Sequence, residues 1–239
     1  MSLRLSTALT DGFKRAITKT GGILFVVFLV LQLVNTASIN TVTTSSLPAE
    51  AAVPVGLTLP LPASVAGGLS VVSYLCLAVF FVVVTRALAR PIAELSTFPS
   101  ELYTRRIGWA TLSMVGASIL AFLAIGVGYV LLIIPGIFLT IAFLFYMFAV
   151  SVEDRGVIGS LRRSWDLGRG NRIRLLGFFV LLIALGFVSG ATTTLFQVAG
   201  IPLVGDLIVV LVSSVFGVVY NGILASAYLQ LAGTDPTAF

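Results

Sequence analysis

The chain has 239 residues, of which 58% are hydrophobic and only 10% charged, and its formal net charge is +5. This composition excludes an ordinary soluble domain, which needs more polar surface. With no histidine and one cysteine, Cys76, the sequence excludes an intrachain disulfide, a cysteine-rich metal site and a histidine-centred catalytic site, so we expect no metal and no cofactor. The basic residues flank hydrophobic runs instead of forming a free arm, which argues against nucleic acid as a partner.

Residues 1–20 are predicted to form an amphipathic helix on the membrane surface, because Leu9, Phe13 and Ile17 recur at helical spacing. The apolar run over about 21–39 is the first predicted span. A basic start before an apolar run is also typical of a secretory signal peptide. The length and amphipathic character of the leading region favour a retained helix.

A connection rich in Thr, Ser and Pro and free of basic residues follows over Asn40–Ala66, and we expect an irregular external loop there. The second span is predicted over about 67–88. Cys76 lies inside this span, and we interpret it as a small buried packing residue and not as a reactive thiol.

The window from Ile107 to Val152 contains no charged residue and is about twice as long as one span requires. Pro135-Gly136 interrupts it, so we predict a helical hairpin with spans over about 109–134 and 135–152. The basic loop that follows has Val157, Ile158, Leu161 and Trp165 at helical spacing, which predicts a second interfacial helix. The last two spans are predicted over about 175–198 and 207–231.

The distribution of the 14 basic residues gives the orientation of the chain. All of them lie before the first span, from the last turn of the second span to the start of the third, or between the fourth and fifth, and the segments on the other side have none. Basic residues collect on the cytoplasmic side of a membrane. The sequence therefore predicts a single all-α membrane domain in a prokaryotic cell membrane: a six-helix bundle, N-in/C-in, with interfacial amphipathic helices on the cytoplasmic side.

Two sets of residues are candidates for contact with a ligand or partner. The first is a basic group in the loop between spans four and five, suited to anionic lipid headgroups or a membrane-protein partner: Arg162, Arg163, Trp165, Arg169 and Arg172. The second consists of neutral amides within spans, which would either form interhelical hydrogen bonds or line a cavity: Gln32, Asn35, Gln197 and Asn221. Gly186 and Gly190 have a GxxxG spacing, which packing inside one bundle explains as well as a homo-oligomer does.

The stretch from Ile134 to Arg174 reads IPGIFLTIAFLFYMFAVSVEDRGVIGSLRRSWDLGRGNRIR. Pro135-Gly136 opens a span, Glu153-Asp154 closes it, and Ser164-Trp165 lies on the next helix. This pattern resembles a broad group of prokaryotic multi-pass membrane proteins that includes the membrane domain of glycerophosphoryl diester phosphodiesterases and related uncharacterised six-helix proteins. The resemblance implies an architecture, and it transfers no catalysis, because it covers only this stretch of the chain.

Three function classes remain open at this stage. The absence of charges stranded inside the spans and of a catalytic set favours a non-enzymatic accessory or scaffold protein that acts through lipid or a membrane partner. A transporter or channel for a small neutral or amphipathic molecule would use the four amides to line a path. A lipid-modifying enzyme would use carboxylates near the interface, Glu153, Asp154 and Asp166, as acid, base or Mg²⁺ ligands.

Overall fold

A computed structural model of the protein describes residues 3–47 and 56–233. Within those ranges the regular structure is helical and no strand occurs, so the predicted all-α class is confirmed. The helices are α1 (Leu5–Ala16), α2 (Lys19–Ser46), α3 (Ala63–Leu88), α4 (Glu101–Thr104), α5 (Ile107–Leu131), α6 (Ile133–Ala142), α7 (Tyr146–Ser151), α8 (Val157–Gly168), α9 (Arg172–Val198) and α10 (Pro202–Ala232), with a 3-10 turn at Ile92–Glu94.

Six helical segments of the described chain are long and apolar enough to cross a membrane, as the sequence predicts. Five are single helices, namely α2, α3, α5, α9 and α10, and the sixth is formed by α6 and α7 together over Ile133–Ser151. Most of the side chains in these segments are not buried within the chain. That is expected where lipid takes the place of a protein core around an apolar helix.

The loop expected over Asn40–Ala66 is helical at both ends. Helix α2 continues to Ser46, because hydroxyl side chains bond to carbonyls one turn earlier, as Thr41 does to Ala37 at 2.8 Å, and so remain satisfied inside the helix. Helix α3 already begins at Ala63. The middle of the expected loop, residues 48–55, lies outside the described residues.

The chain divides into two compact units. Unit 1 is drawn from Met1–Ile23, Ala78–Leu181 and Val218–Phe239, and unit 2 from Leu24–Leu77 and Leu182–Gly217. Cys76 belongs to unit 2 and is exposed, so its interpretation as a buried packing residue is wrong. A small, weakly polar side chain on a spanning helix can face lipid at little cost, which removes the need for burial.

Helix α1 packs into unit 1 through a face of small residues and one arginine. Ala8, Gly12 and Arg15 are buried, at the spacing of successive turns. Arg15 donates from Nη1 to the carbonyls of Leu88 at 2.6 Å and Arg90 at 2.5 Å, and so caps the C-terminal end of α3. The larger apolar residues Leu9 and Phe13 of α1, and Ile17 directly after it, are exposed.

Helices α5 and α6 form a hairpin joined by a single residue, Leu132. The two arms approach closely because glycines face each other: a Cβ built on Gly128 would lie 3.0 Å from Cα of Gly136, and one on Gly136 would lie 2.4 Å from the ring of Tyr129. Pro135-Gly136 thus supplies both the helix start and the close contact. Pro fits the first turn of a helix, where its missing N–H is not needed.

The tip of this hairpin is apolar and exposed. Five consecutive aliphatic residues, Val130–Ile134, are each between 68% and 88% exposed. A run of this kind is costly in water, so we expect the tip to remain within lipid. In a Cys76→Ser background, cysteine at position 132 should react slowly with a water-soluble maleimide in open membrane fragments, whereas cysteine at position 58, exposed in the described chain, should react readily. Equal reactivity would place the tip in water.

The fourth span is not one continuous helix, because the helical backbone hydrogen bonds are interrupted between α6 and α7 at Phe143–Phe145. The hydroxyl of Ser164, on α8, repairs the interruption: it donates to the carbonyl of Ala142 at 2.8 Å and accepts from the amide of Phe145 at 3.0 Å. Both bonds are buried, so neither backbone group is left unsatisfied in an apolar environment. Ser164 therefore ties α8 to the fourth span.

Replacing Ser164 with alanine should lower the free energy of unfolding by about 1–3 kcal/mol, because a buried amide and carbonyl lose their partner. Thermal unfolding in detergent would measure the effect. Ser70→Ala is a matched control, since the Ser70 hydroxyl only bonds to the carbonyl of Ala66 within its own helix. A loss no larger than that of the control would show that water or a backbone shift replaces the serine.

Candidate functional site

Glu153, just after α7, is the centre of a charged cluster in unit 1. Its carboxylate accepts hydrogen bonds from Nε of Arg155 at 2.5 Å, Nε of Arg163 at 2.8 Å and the Tyr228 hydroxyl at 2.7 Å. The three donors come from the α7–α8 connection, from α8 and from α10. Glu153 therefore joins the basic helix α8 to the end of the last span.

Asp154, the next residue, forms the second part of the cluster. Its backbone is left-handed, with φ of 51°, a conformation that aspartate tolerates better than most residues. Its two carboxylate oxygens meet Arg86 at 3.4 Å and Arg105 at 2.8 Å. The turn at Glu153-Asp154 thus directs two adjacent carboxylates at two different pairs of arginines.

Arg86 lies near the end of α3 and is the most deeply buried charged member of the cluster, with its side chain 6% exposed. Its Nε donates to the carbonyl of Ser151 at 2.8 Å, and its Nη1 donates to the carbonyl of Arg105 at 2.7 Å. A third, longer bond of 3.4 Å reaches the carbonyl of Leu102. One guanidinium therefore holds together the ends of α3 and α7 and the segment that leads into α5.

A cavity of about 580 Å³ opens beside this cluster, within unit 1. Its polar lining consists of the side chains of Arg86, Arg90, Glu94, Glu101, Arg105, Ser151, Glu153, Arg163 and Tyr228. Its apolar lining consists of Ala89, Pro91, Pro99, Leu102, Val152, Leu229 and Ala232. The volume is in the range of small-molecule sites, and the lining combines charged and apolar residues.

The pKa of Glu153 lies below its ordinary value. Burial by itself raises the pKa of this carboxyl, but hydrogen bonds from Tyr228, Arg163 and Arg155 and the positive charge of Arg163 together outweigh burial. Glu153 is therefore ionised at neutral pH, and its charge is held by these partners.

The low pKa predicts a pH dependence of stability. A carboxyl whose pKa falls on folding stabilises the fold above the pKa of the unfolded state, about 4.3, and this stabilisation is lost as the pH falls through the lower folded value. The wild-type protein should therefore lose stability below about pH 4. Glu153→Gln should be less stable at pH 7 and should show a flatter profile below pH 4. Glu101→Gln, at a carboxylate without an ion pair among the described residues, is the control. Identical profiles for Glu153→Gln and wild type would contradict the role of Glu153.

The four arginines singled out in the sequence separate into three groups in the structure. These are Arg163, the exposed residues Arg162 and Arg169, and Arg172, which packs with Trp165. Arg163 lines the cavity. Arg162 and Arg169 are exposed, and Arg169 approaches Asp166 at 3.8 Å on the surface of α8. Exposed pairs of this kind contribute little to stability, so these two side chains remain available to headgroups.

Trp165 and Arg172 form an aromatic stack with Phe138 of α6. The Arg172 guanidinium lies over the ring of Phe138, 4.1 Å from its centroid, and 5.0 Å from that of Trp165. The rings of Phe138 and Trp165 meet edge to face at 5.2 Å. Arg172 and Trp165 therefore pack against the fourth span, where a cation over aromatic faces is stabilised without an ion pair.

The four amides are divided between the two units. Gln32, Asn35 and Gln197 belong to unit 2 and Asn221 to unit 1, and none of them lines the cavity beside Glu153. Asn35 is buried, and its side-chain amide nitrogen has no hydrogen-bond partner among the described residues.

The sequence pattern did not single out Arg86, Arg105 or Tyr228 as site residues. Arg86 and Tyr228 lie within or near the ends of long apolar runs, where an arginine is easily assigned to topology and a tyrosine to the interface. The available signal was the Glu153-Asp154 pair, because adjacent carboxylates at the end of a span require cationic partners nearby.

A family model described as a domain of unknown function, DUF7847, matches residues 3–231. The chain belongs to this family. No curated protein and no solved structure gives a significant match. The match covers both units, so the charged cluster and its cavity lie within the DUF7847 domain. The resemblance to the membrane domain of glycerophosphoryl diester phosphodiesterases stays a prediction.

Within the DUF7847 domain, the carboxylates that would serve an enzyme are engaged by arginines. Glu153 contacts Arg155 and Arg163, and Asp154 contacts Arg86 and Arg105. A general acid needs a pKa near the working pH, and the pKa of Glu153 is shifted in the opposite direction. The arrangement is suited to holding charged groups in place.

Proposed function

We propose that this chain is a multi-pass protein of the cell membrane that binds anionic lipid headgroups at its arginine-rich cytoplasmic end and serves as a non-enzymatic accessory or scaffold protein. The observation that carries the proposal is the cluster around Glu153 and Asp154, where the ends of α3, α7 and α10 meet an arginine-lined cavity. These are the ends at which apolar spans give way to charged residues. Headgroups of a bilayer lie at that boundary.

The orientation rests on the segregation of charge along the chain. All 14 basic residues flank the spans on one side, and a basic residue costs about 2.5–3.5 kcal/mol at the centre of a spanning helix. Anionic lipid and the membrane potential both favour keeping such residues in the cytoplasm. The exposed apolar face of α1, with Leu9, Phe13 and Ile17, is suited to lie on the inner leaflet beside this end.

The test is the lipid content of the purified protein. After extraction in a mild detergent, native mass spectrometry should detect bound lipid enriched in anionic species relative to the membrane from which it came. A membrane-protein partner in the same preparation would extend the proposal to a scaffold that joins lipid and protein. A protein that carries neither lipid nor partner, and that takes up no anionic lipid when it is added back, would contradict the proposal.

A further inference from the structure

The cavity beside Glu153 has a net charge that can be counted from its ion pairs. Among the described residues that line it or pair with its lining, five arginines face four carboxylates: Arg86, Arg90, Arg105, Arg155 and Arg163 against Glu94, Glu101, Glu153 and Asp154. One positive charge is therefore in excess. A ligand with a single negative charge would neutralise it.

The donors that could receive such a ligand are the terminal amino groups of two arginines. Arg163 contacts Glu153 through Nε, and in the described part of the chain its two terminal nitrogens make no hydrogen bond. Arg105 bonds to Asp154 and Val152 through one terminal nitrogen, and its other nitrogens have no partner among the described residues. Arginine forks of this kind match phosphate oxygens.

The helix ends around the cavity do not favour a cationic ligand over an anionic one. Carbonyls at the C-terminal ends of helices attract positive charge, but guanidinium groups of the chain already occupy them. Arg86 donates to the carbonyl of Ser151, and Arg15 donates to the carbonyls of Leu88 and Arg90. Among the described lining residues, the groups left without a partner are thus arginine donors and the carboxylate of Glu101, and the arginines are in excess.

Apolar lining residues complete the match to an amphiphile. Pro91, Leu102, Leu229 and Ala232 line the cavity, and Leu229 and Ala232 belong to the last turns of the spanning helix α10. A headgroup held by the arginines would thus have apolar surface beside it for the glycerol backbone and the first methylenes of a chain.

We infer that this cavity binds a singly charged phosphate group, as carried by an anionic phospholipid, with Arg105 and Arg163 donating to the phosphate oxygens and the α10 side of the wall contacting the apolar part of the ligand. This inference deepens the proposed function by assigning the ligand class and its place. The same chemistry could also be supplied by a soluble phosphate.

The experiment measures binding of phosphatidylglycerol to the full chain in detergent or nanodiscs, with inorganic phosphate in a separate arm. Ala232→Phe should fill the cavity without removing any ion pair, and Arg163→Gln should remove a donor; each should weaken binding of the lipid by about tenfold or more. Arg163→Lys keeps the positive charge and should retain part of the affinity for the lipid. The double variant Arg162→Gln/Arg169→Gln removes two exposed arginines outside the cavity and is the comparison; it should weaken lipid binding much less than Arg163→Gln does. Thermal unfolding of each variant establishes that it is folded.

The arms separate the outcomes. Tight binding of the lipid with weak binding of inorganic phosphate assigns the ligand as a phospholipid, and equal affinity for both assigns a free phosphate. If wild type and Ala232→Phe bind the lipid equally while the Arg162→Gln/Arg169→Gln variant loses it, the cavity inference is overturned and the proposed function stands. If wild type binds no anionic lipid, both fall.

Discussion

Replacing Arg86 with methionine is expected to destabilise the protein by about 3–5 kcal/mol, the largest effect of any single substitution in the charged cluster. The side chain is 6% exposed, and its loss leaves the carbonyls of Ser151 and Arg105 without their donor. Asp154 also loses one of its two arginines. Methionine fills much of the volume but supplies no hydrogen bond, so the cost of the unsatisfied groups remains.

The measurement for Arg86→Met is unfolding in detergent, by heat or by a graded denaturant. Arg90→Met is the comparison just after the same helix, because Arg90 contacts the Glu94 carboxylate and the carbonyls of Glu94 and Thr97 through exposed hydrogen bonds. Water can replace a donor at such a site, so Arg90→Met should cost less than Arg86→Met. Arg86→Lys should recover only part of the loss, since one ammonium cannot reach the separate acceptors that the guanidinium spans. Equal stability of the two methionine variants would show that Arg86 is not the link between these helix ends.

Replacing Gly222 with alanine should destabilise the protein by about 1–3 kcal/mol through overpacking. Helices α1 and α10 cross here backbone against backbone: a Cβ on Gly222 would lie 2.6 Å from the carbonyl oxygen of Gly12, and one on Gly12 would lie 2.5 Å from the amide nitrogen of Ile223. Because the obstructing atoms are backbone atoms, no side-chain rotation relieves the clash. Helix α1 must move away as a whole.

The control for Gly222→Ala is Gly190→Ala, for which we expect no loss of stability. Gly186 and Gly190 have the GxxxG spacing that suggests close helix contact, yet apart from the adjoining turns of its own helix no atom of the described chain lies within 4 Å of a Cβ built on either. Alanine is favoured over glycine inside a helix by about 1 kcal/mol, so Gly190→Ala should leave stability unchanged or raise it. Thermal unfolding distinguishes the pair, and a loss at Gly190 that matches the loss at Gly222 would contradict the proposed crossing.

The helical class and the number of apolar segments were predictable because they depend on local composition. A charge-free window such as Ile107–Val152 needs no knowledge of tertiary contacts, and Pro135-Gly136 marks the hairpin within it. The break between α6 and α7 was not predictable in this way. No proline or glycine lies at Phe143–Phe145, and the break is stabilised by Ser164, which is about twenty residues away.

The candidate site was predictable only in part, for a related reason. The basic loop and the Glu153-Asp154 pair are visible in the sequence, and Arg163 does line the cavity. The partners Arg86 and Tyr228 are 68 and 75 residues from the carboxylates that they contact. Contacts of that separation depend on which helix ends meet, and hydropathy carries no information about that.

The proposed orientation of the arginine-rich end is the central claim, because the proposed lipid binding depends on which leaflet the cluster meets. The most direct test is cysteine labelling in intact cells by a reagent that cannot cross the membrane, in a Cys76→Ser background. Positions 58 and 162 are both exposed and lie on opposite sides in the proposed topology. Cysteine at 58 should react in intact cells and cysteine at 162 only after permeabilisation; reaction of 162 in intact cells, with 58 protected, would contradict the account.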